Sequence, residues 1–229
     1  MDFNNLEQKI GVQFKNPSLL KQAFTHRSYL NENRHLDLGH NERLEFLGDA
    51  VLELVTTDFL YNKYPAKNEG DLTSLRSALV NTITISEVAS DLGFNDYLMM
   101  SRGESKDTGR ARQYILANTF ESVVGSIYLD SGYEAANKFI STFLLPKIDD
   151  IVERGLWIDA KSKLQELVQD KFSMTPSYET VKESGPDHNK TFTVVVNYGK
   201  GKKVEGSGKS KQEAEQDAAR NALVDENWL

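Results

Sequence analysis

The stretch of this 229-residue chain whose residues could do the most chemistry is His40 to Val55, HNERLEFLGDAVLELV. At about 100° per residue, with Glu42 set at 0°, Glu45 falls near 300°, Asp49 near 340° and Glu53 near 20°. Four carboxylates thus share a sector roughly 80° wide, and Phe46, Leu47, Val51, Leu52, Leu54 and Val55 fill most of the remaining circumference. A helix apolar on nearly every side is normally buried. Like charges on a buried helix are costly, so water, protonation, basic partners or a metal must relieve them. A hard divalent cation such as Mg²⁺ suits oxygen ligands. The plainer alternative is a helix whose acidic edge faces solvent.

A second segment repeats the pattern more sparsely. From Gln113 to Leu129 (QYILANTFESVVGSIYL) the only charged residue is Glu121, and Asn118 lies three residues before it on the same helical face. Two oxygen-bearing groups on an otherwise uncharged helix could complete the first helix's metal site. They could equally be a satisfied polar pair inside a bundle.

These residues need a scaffold. Hydrophobic spacing of three and four residues runs from Leu6 to Leu145, broken at Pro17, Gly39, Pro65, Gly70, Gly93, Gly103, Gly109, Gly132 and Pro146. The expectation is an all-α domain over 1–153 with about six or more helices, followed by a linker at 154–158. From 159 to 228 the pattern predicts a small α+β domain of order α-β-β-β-α: a helix over 159–172, strands over 177–183, 190–197 and 202–208, and a closing helix from about Ser210. Ser210 and Glu213 form an S-x-x-E capping box that fixes that start. The fold class is therefore multidomain.

Charge divides along the same line. Residues 1–153 hold 15 Lys+Arg against 22 Asp+Glu, a net of 15 − 22 = −7, whereas residues 154–229 hold 12 of each. Within the second part, GKGKKVEGSGKSK (199–211) carries five lysines against Glu205. An acidic first part suits metal or cation chemistry, and a locally basic second part suits a polyanion. The absence of cysteine excludes disulfides, thiolate zinc sites and cysteine nucleophiles, and fits a reducing cytoplasmic location. No apolar run is long enough for a membrane span, and MDFNNLEQKIG lacks the features of a signal peptide.

The run Asn41-Glu42-Arg43-Leu44-Glu45-Phe46-Leu47-Gly48-Asp49-Ala50 resembles the signature helix of bacterial ribonuclease III, the endonuclease of double-stranded RNA. Thr25-His26-Arg27-Ser28, Glu69-Gly70-Asp71-Leu72 and Ile115-Leu116-Ala117 leading to Glu121 extend the resemblance, and the tail 159–228 looks like a double-stranded-RNA-binding domain. The resemblance covers nearly the whole chain. It implies that Glu45 is a metal ligand, that Asp49 and Glu121 are the catalytic metal-binding acids, and that Glu42 and Glu69 are supporting acids. Glu53 matches no catalytic position and reads as structural, as does His26. It further implies Mg²⁺ as cofactor with Mn²⁺ as an alternative, no small-molecule cofactor, and a homodimer in which two sites cut opposite strands, with Phe46 at the subunit interface. Products would carry 5′-phosphate and 3′-hydroxyl ends, and substrates would include ribosomal RNA precursors and some messages.

In the tail, Gln165 and Glu166 match minor-groove contacts, His188 matches a second one, and Lys209 and Lys211 match phosphate contacts at the start of the last helix. Three positions depart from the pattern. Asn118 stands where the family has an aspartate metal ligand, so that ligand brings no charge; the competing reading is a duplex-RNA-binding protein whose site Asn118 has weakened. Thr108, in a loop (101–112) resembling a glycine-rich RNA-contacting loop, stands where a glycine is usual, and Gln212 replaces a frequent second basic residue.

Overall fold

The computed structural model describes residues 2–36, 38–186, 190–199 and 201–228, which form two compact units, one running through Leu156 and the other from Trp157.

In the first unit the described residues form nine α-helices: α1 (Asn4–Ile10), α2 (Pro17–Ala23), α3 (Arg27–Glu32), α4 (Glu42–Lys63), α5 (Glu69–Leu79), α6 (Thr82–Asp91), α7 (Arg110–Ser131), α8 (Tyr133–Phe143) and α9 (Lys147–Glu153). Side-chain caps set four of these nine helix starts. Asn16, Asn68 and Asn81 accept from backbone N–H groups at the starts of α2, α5 and α6, each relieving an otherwise orphaned donor. His26 caps α3 in the same way through its imidazole, which also bonds Ser28 Oγ at 2.7 Å. That fits the structural reading of His26.

The two longest helices, α4 and α7, of 22 residues each, pack along each other through glycine. A Cβ at Gly48 would stand 1.7 Å from the Glu121 carbonyl oxygen, and one at Gly125 would stand 2.2 Å from the Leu44 carbonyl oxygen. Any side chain at either position would force the helices apart. Around this contact α7 buries Ile115, Leu116, Phe120, Val123, Val124 and Ile127. A run of rings, Phe24–Phe94–Phe120–Phe139, with centroids 5.0, 6.3 and 5.3 Å apart, continues the core.

Helix α4 departs from the expectation of burial on nearly every side. Leu44, Val51, Leu52 and Val55 are buried, but Phe46 is 82% exposed, Leu54 57% and Tyr61 70%. Apolar periodicity alone does not distinguish a face turned to the domain's own core from one left open.

The second unit follows α10 (Ala160–Phe172), β1 (Ser177–Ser184), β2 (Thr191–Asn197), β3 (Lys203–Gly208) and α11 (Lys211–Asp225), with an antiparallel sheet in the order β1-β2-β3. Tyr178 faces Val196, Val196 faces Val204, and Val194 faces Gly206; a bulge between Thr180 and Lys182 interrupts the first ladder. Leu164 and Val168 of α10 and Ala218, Ala219, Ala222 and Leu223 of α11 close the core over this sheet. Small residues set the spacing: a Cβ at Gly206 would lie 2.0 Å from the Ala218 backbone nitrogen. Ser210 caps α11 by accepting from the Glu213 N–H at 3.1 Å, and the Glu213 carboxylate reaches back to the Lys209 N–H at 2.9 Å. The box thus closes one residue earlier than the usual return to the capping residue.

Candidate active site and nucleic-acid interface

The glycine contact between α4 and α7 decides which acids meet. Glu45 and Asp49, one turn apart on α4, flank Gly48; Asn118 and Glu121, one turn apart on α7, precede Gly125. Glu121 stays only partly exposed beside this backbone contact. Burial, then the charges of Asp49 and Glu45, push its carboxyl up to about 8. Glu45 is also raised, first by burial and then by Glu42 and Asp49, while a hydrogen bond from the Asn118 side chain pulls the other way. Three carboxylates and one amide from two helices therefore share a neighbourhood, and the neutral member is the one that relieves strain among the others.

Two of the remaining acids find ordinary partners. Glu42 pairs with Arg27 at 3.4 Å and lies 3.8 Å from His40 Nδ1. Glu53 is held by Arg76 at 3.0 Å, which fits its reading as structural. Glu69 opens α5 as an exposed first-turn acid. It is not among the charges that shift Glu45 or Glu121.

Among the described residues no group of three or more His, Cys, Asp or Glu side chains is drawn together closely enough to hold a metal ion as it stands. Like charges spread when nothing of opposite sign lies between them, and Asn118 supplies an amide where a further carboxylate would count. The donor set is all oxygen, as a hard divalent cation requires, and Glu121 lacks any compensating cation among the causes of its shift. Both features fit such an ion.

In the second unit Gln165 and Glu166 are exposed on α10. Lys209 Nζ donates to Thr191 Oγ1 at 3.3 Å, and Lys211 Nζ lies 3.2 Å from Glu183 and 5.7 Å from the Phe192 ring centre. His188 lies outside the described residues. Sequence reasoning missed Arg27 as the partner of Glu42, Gly125 as the counterpart of Gly48, and Glu183 as the partner of Lys211. Only Gly125 left a signal: it follows Glu121 at one helical turn, as Gly48 follows Glu45 at nearly one.

Residues 16–148 match the family model described as Ribonuclease-III-like, and residues 160–225 match that of the double-stranded RNA binding motif. This chain belongs to the ribonuclease III family. It is an endoribonuclease of that type, with a helical nuclease domain ahead of its α+β domain. Ribonuclease 3 of Bdellovibrio bacteriovorus is 44% identical over 220 residues, covering 96% of this chain and 94% of the relative. Ribonuclease 3 of Bacillus licheniformis is 47% identical over 223 residues, covering 97% and 89%. Among solved structures, the ribonuclease III nuclease domain of Campylobacter jejuni, studied for flexibility in a region involved in dimer formation, matches with a TM-score of 0.58 and 36% identity over 63% of this chain and 99% of that one. Among the described residues no helix is long and apolar enough to cross a membrane.

Proposed function

We propose that this ribonuclease III hydrolyses double-stranded RNA endonucleolytically in a Mg²⁺-dependent reaction that also accepts Mn²⁺, leaving 5′-phosphate and 3′-hydroxyl ends. The observation that carries this reading is the meeting of Glu45, Asp49, Asn118 and Glu121 where α4 and α7 touch through Gly48 and Gly125, an all-oxygen donor set in which burial and neighbouring carboxylates push Glu121 up to about 8. Acids crowded in this way suit a hard cation.

Glu45, Asp49, Asn118 and Glu121 would hold the ion. When bound, a divalent ion lowers the pKa of a coordinated water and stabilises negative charge on phosphate oxygens. The chain's own residues prepare that site. Gly48 and Gly125 fix the separation of the two helices, Asn118 orients Glu45, and Glu121 gives up its proton when positive charge arrives. Glu42, tethered to Arg27, and Glu69 stay at the margin as supporting acids. Asp49 and Glu121 are the essential pair.

One nuclease domain supplies one such cluster, and a duplex has two strands. A homodimer answers this, and the open apolar face of α4 bearing Phe46, Leu54 and Tyr61 is the surface we assign to it. In the α+β domain, residues 159–228, Gln165, Glu166 and His188 would contact the minor groove, with Lys209 and Lys211 on phosphates across the major groove. Domain limits of 1–153 and 159–228 with a linker at 154–158, a cytoplasmic setting, and roles in maturing ribosomal RNA precursors, transfer RNAs and some messages complete the reading.

The test is cleavage of a duplex RNA against Mg²⁺ and Mn²⁺ concentration, with product ends mapped. Metal-dependent cuts with 5′-phosphate ends are expected. Duplex binding without cutting in either ion would instead make Asn118 an inactivating residue.

A further inference from the structure

The residues proposed to read RNA in the α+β domain sit on two helices, Gln165 and Glu166 on α10 and Lys209 and Lys211 around the start of α11. A-form RNA fixes the separation of a minor groove from the phosphates across the adjoining major groove. The two helices must therefore keep one offset. Their apolar contact does not set it, because hydrophobic burial is non-directional. Leu164 and Val168 of α10 share their core with Ala218, Ala219 and Ala222 of α11, side chains too small to index one helix against the other.

Directional bonds at the start of α10 set it instead. The Gln216 side chain, on α11, donates through Nε2 to Asp159 Oδ1 at 2.9 Å and accepts from the Lys161 N–H at 3.3 Å. Turning that amide over would set oxygen against carboxylate and N–H against N–H, so one orientation satisfies both partners. Asp159 is the capping residue of α10: its Oδ1 also accepts from the Ser162 N–H at 3.2 Å, and its Oδ2 from the Ser162 hydroxyl at 2.7 Å. Two N–H groups orphaned at this helix start are thus satisfied, one locally and one by a residue 55 positions away. Lys161 is gripped a second time, its ammonium 2.5 Å from Glu215 and 4.9 Å from the centre of the Tyr178 ring on β1. The Gln216 amide, ahead of Ser162, holds the Asp159 carboxyl below its usual range. Gln165 follows Lys161 at about one turn, and Lys211 precedes Gln216 by about 7.5 Å along α11, so the clasp is within about two turns of each set.

We propose that Gln216 is a positioning residue: through Asp159 and Lys161 it fixes the offset of α10 on α11, and so presents Gln165 and Glu166 and the two lysines at the separation of A-form RNA. The proposal rests on the duplex-RNA reading above. An offset set in advance removes an ordering cost from binding. It also favours the A-form duplex over the B-form, whose grooves differ, whereas the electrostatic attraction of the lysines is common to both.

The experiment measures full-chain affinity for one duplex sequence made as RNA and as DNA, in a chelator and well below the melting temperature of each variant. Gln216→Glu sets two carboxylates against each other. RNA affinity should fall about tenfold, and the ratio of RNA to DNA affinity about fivefold. Gln216→Met removes the amide without adding charge and should lower the ratio about as much. Asp159→Asn combined with Gln216→Glu keeps the parent's total charge and rebuilds the clasp with donor and acceptor exchanged, since asparagine caps helices as aspartate does. That double variant should return RNA affinity and the ratio to within about twofold of the parent. Equal losses on RNA and DNA in Gln216→Glu, with an unmoved ratio in Gln216→Met, would reduce the effect to added charge and overturn the proposal. A double variant that regains the melting temperature but not the ratio overturns it as well. A parent chain that binds both duplexes equally overturns the duplex-RNA reading itself, and the clasp's role with it.

Discussion

Glycine brings backbones into contact in both units, with opposite electrostatic results. In the nuclease unit Gly48 and Gly125 let α4 and α7 touch, and the acids beside those glycines are left with one another and one amide for company. In the second unit Gly206 and Gly208 let α11 lie on β3, and the nearby polar groups are satisfied locally: Asp217 accepts from the Ser207 N–H at 2.8 Å, and Asn221 donates to the Glu205 carbonyl at 2.9 Å. One close contact stores unfavourable charge and the other builds a stable platform. The difference separates the region proposed to receive a cation from the one proposed to offer its own cations to RNA.

The sharpest way to break this contrast is Glu121→Gln, which keeps the shape and removes the charge. Cleavage should fall by about a thousandfold or more, because a ligand charge disappears from the site. Metal-free stability should move the other way. A folded-state value near 8, against an ordinary 4.5, means the folded protein holds a proton that the unfolded chain releases. Stability from this group is fully present below about pH 4.5 and is lost as pH rises toward about 8. Melting in a chelator from pH 5 to pH 8 should therefore show a decline that Glu121→Gln flattens. Retained cutting, or an unaltered pH slope, would remove Glu121 from the centre of the site.

Removing residues 157–229 probes the other half. Duplex affinity should drop by about a hundredfold, since the lysines proposed to meet phosphate go with the tail. Cutting at low salt and high Mg²⁺ should survive, because every carboxylate of the proposed site lies before the cut. A truncated chain that folds and yet never cuts would show that the division of labour is wrong.

How legible this was in the sequence depended on how local each cause is. The strands and the capped start of α11 follow alternation, turn residues and Ser210, all within a few positions, and the structure places them within a residue or two. The acidic stripe was legible as a helix face for the same reason. Its partition was not. That Glu53 belongs to Arg76, Glu42 to Arg27 and only Glu45 and Asp49 to the cluster around Glu121 depends on residues 15 to 76 positions away in the chain, which no helical wheel contains. Periodicity hid the openness of Phe46 likewise, and only the family resemblance pointed it at a partner: an apolar residue on α4 reads the same whether its own domain covers it or leaves it bare.

Asn118→Asp sharpens the contrast from within the site. It adds the negative charge that this chain lacks relative to the family pattern. A hard cation should then be held more firmly, lowering the Mg²⁺ concentration for half-maximal cleavage by about tenfold. The amide's hydrogen bond to Glu45 would be exchanged for repulsion, so the same variant should melt earlier in a chelator. Duplex affinity without metal should stay unchanged. A Mg²⁺ midpoint that does not move would mean Asn118 is not a ligand. Since Mn²⁺ accepts less regular geometry than Mg²⁺, the wild-type chain should also reach half-maximal rate at lower Mn²⁺ than Mg²⁺.

The smallest effect expected is in the second unit, where Lys211 is shared. Its ammonium lies 3.2 Å from Glu183, and both groups are substantially exposed. Such a pair is worth about 0–1 kcal/mol, so it cannot withhold Lys211 from a phosphate, but it must be exchanged for one. Glu183→Gln should therefore tighten duplex binding by about two- to threefold. It should also steepen the slope of log affinity against log salt, because a fully available ammonium displaces more counterion. Lys211→Ala should weaken binding to all duplex sequences about equally and flatten that slope by roughly one unit or less. The two variants thus move one observable in opposite directions from one ion pair. Weaker binding in Glu183→Gln would reverse the interpretation: the carboxylate would then be holding the lysine in place for the phosphate instead of competing with it.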